Sequence, residues 1–251
     1  MNKHELFNKE LETITNEDIR EFAKKLLDDA PEYFFHVAAS STGKYHPQIS
    51  LGDGGLMRHT KAVIRFFNHI MGVEQNYSLF ADREIDLGRV ACLIHDIQKS
   101  GDATTYAEKS NNGEKKVFTV FDHPLLAAKY VLSYKGRYLN NDELEYIALC
   151  VSSHMGAWNT DKRSSVVLPK PETEMQKMVH LADYLASRKD IEMQFDVSEK
   201  EQLPSIDEYV ITFGKHNGKT LIQINEVDPG WITWAKENFE REPVKSLLKQ
   251  I

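Results

Sequence analysis

A histidine followed directly by an aspartate, His95-Asp96, stands at the end of the apolar run 90–94. The pair offers a neutral ring nitrogen and an anionic oxygen to one small volume, which is a typical ligand combination for a divalent metal ion. Four more residues of ligand type occur singly on separate predicted helices: His59, His123, His154 and Asp183. The sequence therefore predicts a metalloenzyme whose site is assembled by the fold rather than by one short motif.

Three of these residues share a helix face with apolar neighbours. His59 follows Leu56 by three positions and precedes Val63 by four, which places all three on one side of a helix. His154 and Asp183 follow apolar residues at similar helical spacings. A buried, unpaired carboxylate is destabilising by several kcal/mol, so it needs a cation or several donors. We interpret the set as metal ligands, because metal sites in helical bundles form by such inward projection.

Helical periodicity dominates residues 16–190, and capping residues mark the ends of the helices. Helices are expected from Asn16 to just before Pro31, over 56–71, over 83–97, from Asp122-Pro124 onward, over 141–154, and from Pro171 to about 188. The fold class is therefore mainly α, a helical bundle.

A short segment after the histidine-aspartate pair breaks the helical pattern. The β-prone runs 104–106 and 117–120 flank Asn112-Gly113, a dipeptide typical of tight hairpin turns. We predict a small β-hairpin flap beside the metal site, where loops often contact substrate.

The C-terminal part of the sequence differs in composition from the rest. Residues 196–208 are polar and acidic, and two short β-prone runs at 209–213 and 220–224 precede a helix that begins at Asp228-Pro229. The expected organisation is a helical catalytic domain at 1–195, a linker at 196–208 and a small ββα module at 209–251.

Composition limits the classes of function. The chain has 251 residues, 41% hydrophobic and 27% charged, which is typical of a globular domain. A net charge of -7 argues against broad electrostatic binding of duplex nucleic acid. No apolar run approaches the ~20 residues of a spanning helix, so we expect no membrane partner and a cytoplasmic location.

Three motifs carry a family resemblance. Residues 93–101 (LIHDIQKSG) resemble the central motif of the HD superfamily of metal-dependent phosphohydrolases, and the resemblance extends over roughly 55–190. Within that superfamily, residues 55–60 (GLMRHT) and 180–186 (HLADYLA) are similar to segments of the HD-domain 3′ to 5′ exoribonucleases. The resemblance implies an HD-domain helical bundle.

The resemblance also implies how the ligands are shared. One metal ion would be held by His59, His95, Asp96 and Asp183. A second would be held by His123 and His154, with Asp96 as the bridging carboxylate. Mixed imidazole and carboxylate ligands suit Mn, Fe, Zn or Mg, so one or two divalent ions of these elements are expected.

Such a site suits hydrolysis of a phosphate ester or anhydride, because a metal ion lowers the pKa of bound water toward neutrality. Asp96 and Lys99 are the catalytic candidates, since Lys99 can offer a positive charge to a phosphate oxygen. The substrate-contact candidates, besides Lys99, are Arg58, Trp158, Lys162 and Arg163. The remaining histidines of this region are interpreted as structural or packed: His36, His46, His69 and His180.

The C-terminal module carries a second resemblance. Residues 212–220 (TFGKHNGKT) and 228–234 (DPGWITW) look like a small module found at the C-terminus of some exodeoxyribonucleases and in phage and bacterial proteins. Trp231 and Trp234 would serve as its core or as a nucleic-acid surface. We favour packing, because so small a unit has few other large apolar residues to bury.

Three functions remain open at this point. The first is a nucleotidase or phosphodiesterase of the HD type, acting on a nucleotide or on the 3′ end of a single-stranded nucleic acid. The second is a di-iron HD-type oxygenase. The third is a non-catalytic, metal-containing module that binds nucleotide or nucleic acid.

Overall fold

The computed structural model describes residues 2–40, 43, 46–111, 119–189, 191, 206–207, 209–211, 214–239 and 244–251. The chain divides into two compact units, Met1–Glu192 and Met193–Ile251. The fold is mainly helical, as the sequence predicts. Among the described residues, no helix combines the length and the apolar character that crossing a membrane requires.

The helices of the first unit are α1 (Asn8–Leu11), α2 (Glu17–Asp28), α3 (Gly55–Met71), α4 (Glu74–Tyr77), α5 (Asp82–Ile94), α6 (Ala103–Asn111), α7 (His123–Leu132), α8 (Asn141–Ser152) and α9 (Glu174–Ala186). Short 3₁₀-helices occur at Lys3–Phe7, Glu32–Phe35 and Gln48–Ser50. The predicted helices exist, and their ends shift by a few residues. For example, Asn140 caps α8 with its side chain, one position before the expected Asn141.

Helix α5 lies at the centre of the first unit, where it packs on α2, α3, α8 and α9. Its apolar run is fully buried, which is why the sequence there shows no polar face. Gly88 lets the neighbouring helices approach, since an added Cβ would lie 2.6 Å from Sδ of Met175 and 2.7 Å from Cζ of Phe67. The close packing fixes the end of α5, which carries His95 and Asp96.

Tyr33 holds the turn that follows α5. Its hydroxyl accepts a hydrogen bond from the Ser100 amide at 3.1 Å and donates to the Gly101 carbonyl at 2.5 Å. The hydroxyl is buried, so these bonds satisfy backbone groups that water cannot reach. The turn that bears the histidine-aspartate pair is therefore braced from a separate element.

The predicted β-hairpin flap is not seen in the described residues. The prediction of a strand at 104–106, the first arm of the hairpin, is wrong. These residues belong to α6. Asp102 accepts a hydrogen bond from the Thr105 amide at 2.8 Å, an N-terminal cap that outweighs the β propensity of the threonines. The predicted turn at Asn112-Gly113 and residues 117–118 lie outside the described residues.

The second unit contains α10 (Leu221–Val227), α11 (Pro229–Asn238), α12 (Val244–Leu248) and a 3₁₀-helix at Gly214–His216. The predicted linker lies outside the described residues, except for 206 and 207.

The predicted second strand of the ββα module is wrong, because residues 221–224 are helical. Thr220 and Gln223 form a reciprocal capping box at the start of α10, a local signal that favours a helix over a strand. A single antiparallel bridge joins Val210 to Thr220, and Thr212 and Phe213 of the first predicted strand lie outside the described residues.

A compact apolar core holds the described part of the second unit together. Trp231 packs against this core, with its ring 5.2 Å from the ring of His216, whereas Trp234 is half exposed. The prediction that the tryptophans pack in the core therefore fits Trp231 better than Trp234.

Candidate metal centre

Asp96 lies between two pairs of histidines. Its Oδ2 is 3.4 Å from Nε2 of His95 and 3.8 Å from Nε2 of His59, and these three residues are called the first histidine group. Its Oδ1 is 3.0 Å from Nε2 of His123 and 3.7 Å from Nε2 of His154, and Asp96 with these two forms the second histidine group. Within each group the ligand-type atoms lie within 4.8 Å of one another, a spacing at which they could hold a metal ion.

Asp183 joins the first histidine group from α9. Its Oδ1 is 3.1 Å from Nε2 of His59 and 3.7 Å from Nε2 of His95. All six predicted ligand residues are therefore brought to one place in the fold.

The six residues come from five separate parts of the bundle, because His95 and Asp96 are adjacent. His59 lies within α3, His123 is the first residue of α7, and His154 lies in the turn after α8. The His95-Asp96 pair follows the last residue of α5. The histidine and Asp96 side chains are at most 2% exposed, whereas the Asp183 side chain is 16% exposed. The centre is therefore buried and opens to its surroundings on the side of α9.

Backbone carbonyls fix the tautomer of three histidines. In each, Nδ1 donates to the carbonyl three residues earlier: His95 to Cys92 at 2.9 Å, His123 to Val120 at 2.7 Å, and His154 to Val151 at 2.7 Å. A carbonyl only accepts, so Nδ1 carries a proton, and in the neutral ring Nε2 keeps its lone pair. This is the arrangement found in metal-ligating histidines, whose other ring nitrogen is held by a hydrogen bond.

The buried lone pairs face one another without hydrogen-bond partners. Nε2 of His123 and Oδ1 of Asp96 are 3.0 Å apart, yet neither atom has a hydrogen-bond partner in the described residues, and the same holds for Nε2 of His95. Two acceptors at this distance repel unless they share a proton or bind the same metal ion. The donor set therefore fits a divalent metal ion, with imidazole and carboxylate ligands in both histidine groups.

The electrostatic field of the centre also favours a cation. Burial alone would raise the pKa of Asp96, but the charges of Lys99 and then of His95 hold that pKa well below its usual value. Burial likewise opposes a charge on His95, yet Asp96 and then Asp183 raise the pKa of its imidazole. Burial lowers the pKa of His154 to about 3, so its ring stays neutral. The two anionic carboxylates, Asp96 and Asp183, make a binding point for positive charge, whether a proton on His95 or a metal ion.

Lys99 lies at this carboxylate, as its position three residues after Asp96 on the same turn allows. Its Nζ is 2.5 Å from Oδ2 of Asp96. The lysine side chain is 13% exposed and lines the cavity above the centre, so its charge is available to an anion that enters.

A cavity of about 590 Å³ opens onto the centre, a volume in the range of small-molecule sites. Of the substrate-contact candidates, Lys99 and Trp158 line it. Its other lining residues include four that the sequence did not predict to contact substrate: His46, His180, Tyr184 and Arg188.

The remaining substrate-contact candidates lie elsewhere and do not line the cavity in the described part of the chain. Arg58 donates to the backbone carbonyls of Ile49 and Leu51, so it braces the segment before α3. Arg163 is exposed and pairs with Asp161 at 3.0 Å, beside Lys162 in the same turn. Neither position supports a direct role at the centre.

His46, like His180, lines the cavity although the sequence indicated a structural role for it. Its ring lies 5.4 Å from the ring of His59, and its Nδ1 is buried without a hydrogen-bond partner among the described residues. Burial lowers the pKa of His46 to about 3. It belongs to an irregular segment, so no helical spacing could have revealed that it faces the centre.

A helical bundle that brings histidines and aspartates together at a buried centre belongs to the class of folds that bind metal ions between their helices. The family model of the HD domain matches residues 57–188, more than half of the 251 residues. The chain belongs to the HD-domain family, a family of metal-dependent phosphohydrolases. The model of the exodeoxyribonuclease X-like C-terminal domain matches residues 211–240. No curated protein and no solved structure matches the chain.

Proposed function

We propose that this chain is a hydrolase that cleaves a phosphate ester or anhydride of a nucleotide or of a nucleic-acid 3′ end. The observation that carries the proposal is the position of Asp96, whose two carboxylate oxygens face separate pairs of histidines. The first histidine group and Asp183 would hold one divalent ion, and the second histidine group would hold another. Asp96 would bridge the two.

The side chains would divide the work of the reaction. A divalent ion bound here supplies Lewis acidity and lowers the pKa of a bound water molecule. Three of the histidines, His95, His123 and His154, are held by backbone carbonyls, so their Nε2 atoms face the centre without reorganisation. Lys99 places a positive charge at the inner end of the cavity, where it can donate to a phosphate oxygen.

Two observations support a nucleotide or a nucleic-acid 3′ end as the substrate. The C-terminal unit matches a module named after an exodeoxyribonuclease, which supports a substrate with phosphodiester bonds. The net charge of -7 favours small or single-stranded substrates over the capture of long duplexes. The proposal therefore covers both a nucleotidase and a phosphodiesterase that trims single-stranded ends.

The test combines metal analysis with a screen for phosphate release. Purified protein is assayed for bound Mn, Fe, Zn and Mg, and then for hydrolysis of nucleoside mono- and triphosphates, cyclic dinucleotides and short single-stranded RNA and DNA. Asp96→Asn should lose both bound metal and turnover. Asp53→Asn, whose side chain is 81% exposed, is the matched control and should keep both.

Three results would overturn the proposal. Turnover retained by Asp96→Asn would show that hydrolysis does not depend on this centre. Iron-dependent oxygen uptake without phosphate release from any substrate would favour the oxygenase hypothesis, and metal binding with neither reaction would favour a binding module.

A further inference from the structure

A stacked aromatic pair forms one side of the cavity. Trp158, in the turn region after α8, lies against Tyr184 of α9 with ring centroids 5.7 Å apart and an interplanar angle of 16°. Both rings line the cavity that contains Asp96 and Lys99. We call Trp158 and Tyr184 the aromatic wall.

The aromatic wall is held in place but not covered. The guanidinium of Arg188 lies 4.5 Å from the centroid of the Tyr184 ring, a cation-π contact that fixes the ring from the end of α9. Trp158 is nevertheless 50% exposed. A tryptophan that served only packing would bury more of its indole, so the exposed part of this ring is left available to a ligand.

His180 contacts both the aromatic wall and the segment that carries His154. His180 lies 6.2 Å from Trp158 and 6.4 Å from Tyr184, ring centroid to ring centroid. Its Nδ1 donates to the backbone carbonyl of His154 at 2.6 Å. A ligand stacked on the wall would therefore sit beside the loop that carries a member of the second histidine group.

Arg188 adds a polar group at the same end of the cavity. Its Nε is buried and has no hydrogen-bond partner among the described residues. A buried donor of this kind is satisfied when a ligand brings an acceptor, and bases carry carbonyl oxygens and ring nitrogens at their edges.

We infer that the aromatic wall is the base-binding site of the substrate, with the base stacked on Trp158 while the reacting phosphate lies at Lys99 and Asp96. The inference rests on the proposed function for the identity of the reacting group. It assigns the part of the cavity that would hold the base, which a bare sugar phosphate lacks. Stacking tolerates every base because each presents a π face, so the wall recognises a base without reading its identity.

The test compares two ligands that share a phosphorylated ribose, adenosine 5′-monophosphate and ribose 5-phosphate. In wild type, the nucleotide should bind more tightly in calorimetric titrations and have the lower KM. Trp158→Ala should weaken nucleotide binding by about 5- to 140-fold, the range typical of one lost aromatic-base stack. The loss should appear in KM rather than in kcat, and ribose 5-phosphate should change less than about twofold.

Two further variants separate stacking from general damage. Trp158→Phe keeps an aromatic face and should recover most of the nucleotide affinity. Tyr77→Ala removes another exposed aromatic residue of the first unit, one that does not line this cavity, and should leave both ligands unaffected.

The outcomes distinguish this inference from the proposed function. If Trp158→Ala weakens binding of the nucleotide but the wild type hydrolyses neither ligand, the base site stands and the catalytic proposal is wrong for this substrate. If wild type binds both ligands equally, or Trp158→Ala affects both alike, the base site is wrong whatever the activity.

Discussion

Replacing Gly156 by alanine should destabilise the first unit and disturb the second histidine group. The φ of Gly156 is +57°, and a Cβ built on it would lie 2.2 Å from Cε1 of His180. That ring is restrained, because its Nδ1 donates to the His154 carbonyl and Trp158 packs beside it. The added methyl group must therefore displace either the ring or the loop that carries His154.

The expected loss of stability has three parts. A left-handed backbone is unfavourable by about 1–2 kcal/mol for a residue with a Cβ. Forcing a methyl group into a packed site adds about 1–3 kcal/mol. Loss of the hydrogen bond from His180 adds about 1 kcal/mol. We therefore expect Gly156→Ala to lower the free energy of unfolding by about 3–6 kcal/mol.

A second glycine separates the backbone part from the packing part. Gly136 has a φ of +76°, and a Cβ there would meet no atom within 4 Å. In urea titrations, Gly136→Ala should therefore lose only the backbone part, about 1–2 kcal/mol. The difference between the two alanine variants measures the contact with His180.

The same variant should also report on metal binding. Groups that orient metal ligands typically change affinity by about 10- to 100-fold when they are altered, so Gly156→Ala should bind metal more weakly. The double variant Gly156→Ala/His180→Ala should recover the packing part of the stability, because the clash is gone. Equal stability losses for Gly156→Ala and Gly136→Ala would refute the reasoning.

Three further predictions concern stability. Asp86→Ala should lower the free energy of unfolding in urea by about 3–5 kcal/mol, because this fully buried carboxylate accepts four hydrogen bonds, two from Thr15, one from Asn16 and one from the guanidinium of Arg89. Lys215 lowers the pKa of Asp228 to about 2, whereas the unfolded value is near 4. The ionised carboxylate therefore stabilises the folded state, and this stabilisation is lost as the pH falls from ~4 to ~2. Hydrogen-exchange protection of Pro229–Asn238 should fall over that pH range in wild type and not in Asp228→Asn. Removal of metal by a chelator should lower the melting temperature of the first unit by about 5–11 °C, if the free metal concentration before chelation is about 100 times the Kd of the site.

Helix existence was predictable from the sequence because apolar spacing and capping residues agree along the bundle. The segment at α3 shows this, with Leu56 and Val63 buried on the face that also carries His59. The helical spacing correctly indicated that this histidine faces inward. Spacing describes one helix at a time, however, and it could not show that Oδ1 and Oδ2 of Asp96 face different histidines.

The two wrong strand predictions have one physical cause. The runs 104–106 and 220–224 contain β-prone residues, and each lies beside a side chain that caps a helix. Asp102 and Thr220 satisfy exposed amides of the first helical turn, which stabilises a helix by about 1 kcal/mol. A side-chain cap acts locally, whereas strand propensity depends on the pairing and packing around the strand, so the local cap decided the structure.

Cavity residues outside regular helices were not predictable. His46 lies in an irregular segment and Arg188 lies just after α9, so neither follows a periodic pattern that would show which way it faces. Arg58, which stands beside a predicted ligand in the sequence, proved to bind backbone carbonyls instead. Adjacent helical residues project about 100° apart, so closeness in sequence to a ligand does not imply closeness to the site.

The helix ends explain why histidines stand where they do in this sequence. The last carbonyls of a helix lack partners within it. His95 and His154, just beyond the ends of α5 and α8, donate Nδ1 to such carbonyls, those of Cys92 and Val151. One hydrogen bond thus satisfies a buried carbonyl, selects the tautomer and directs Nε2 at Asp96. The same helix ends carry partial negative charge, which favours a cation at the point where the two rings converge. A histidine that closes an apolar helix is therefore a stronger indication of a ligand than a histidine within one.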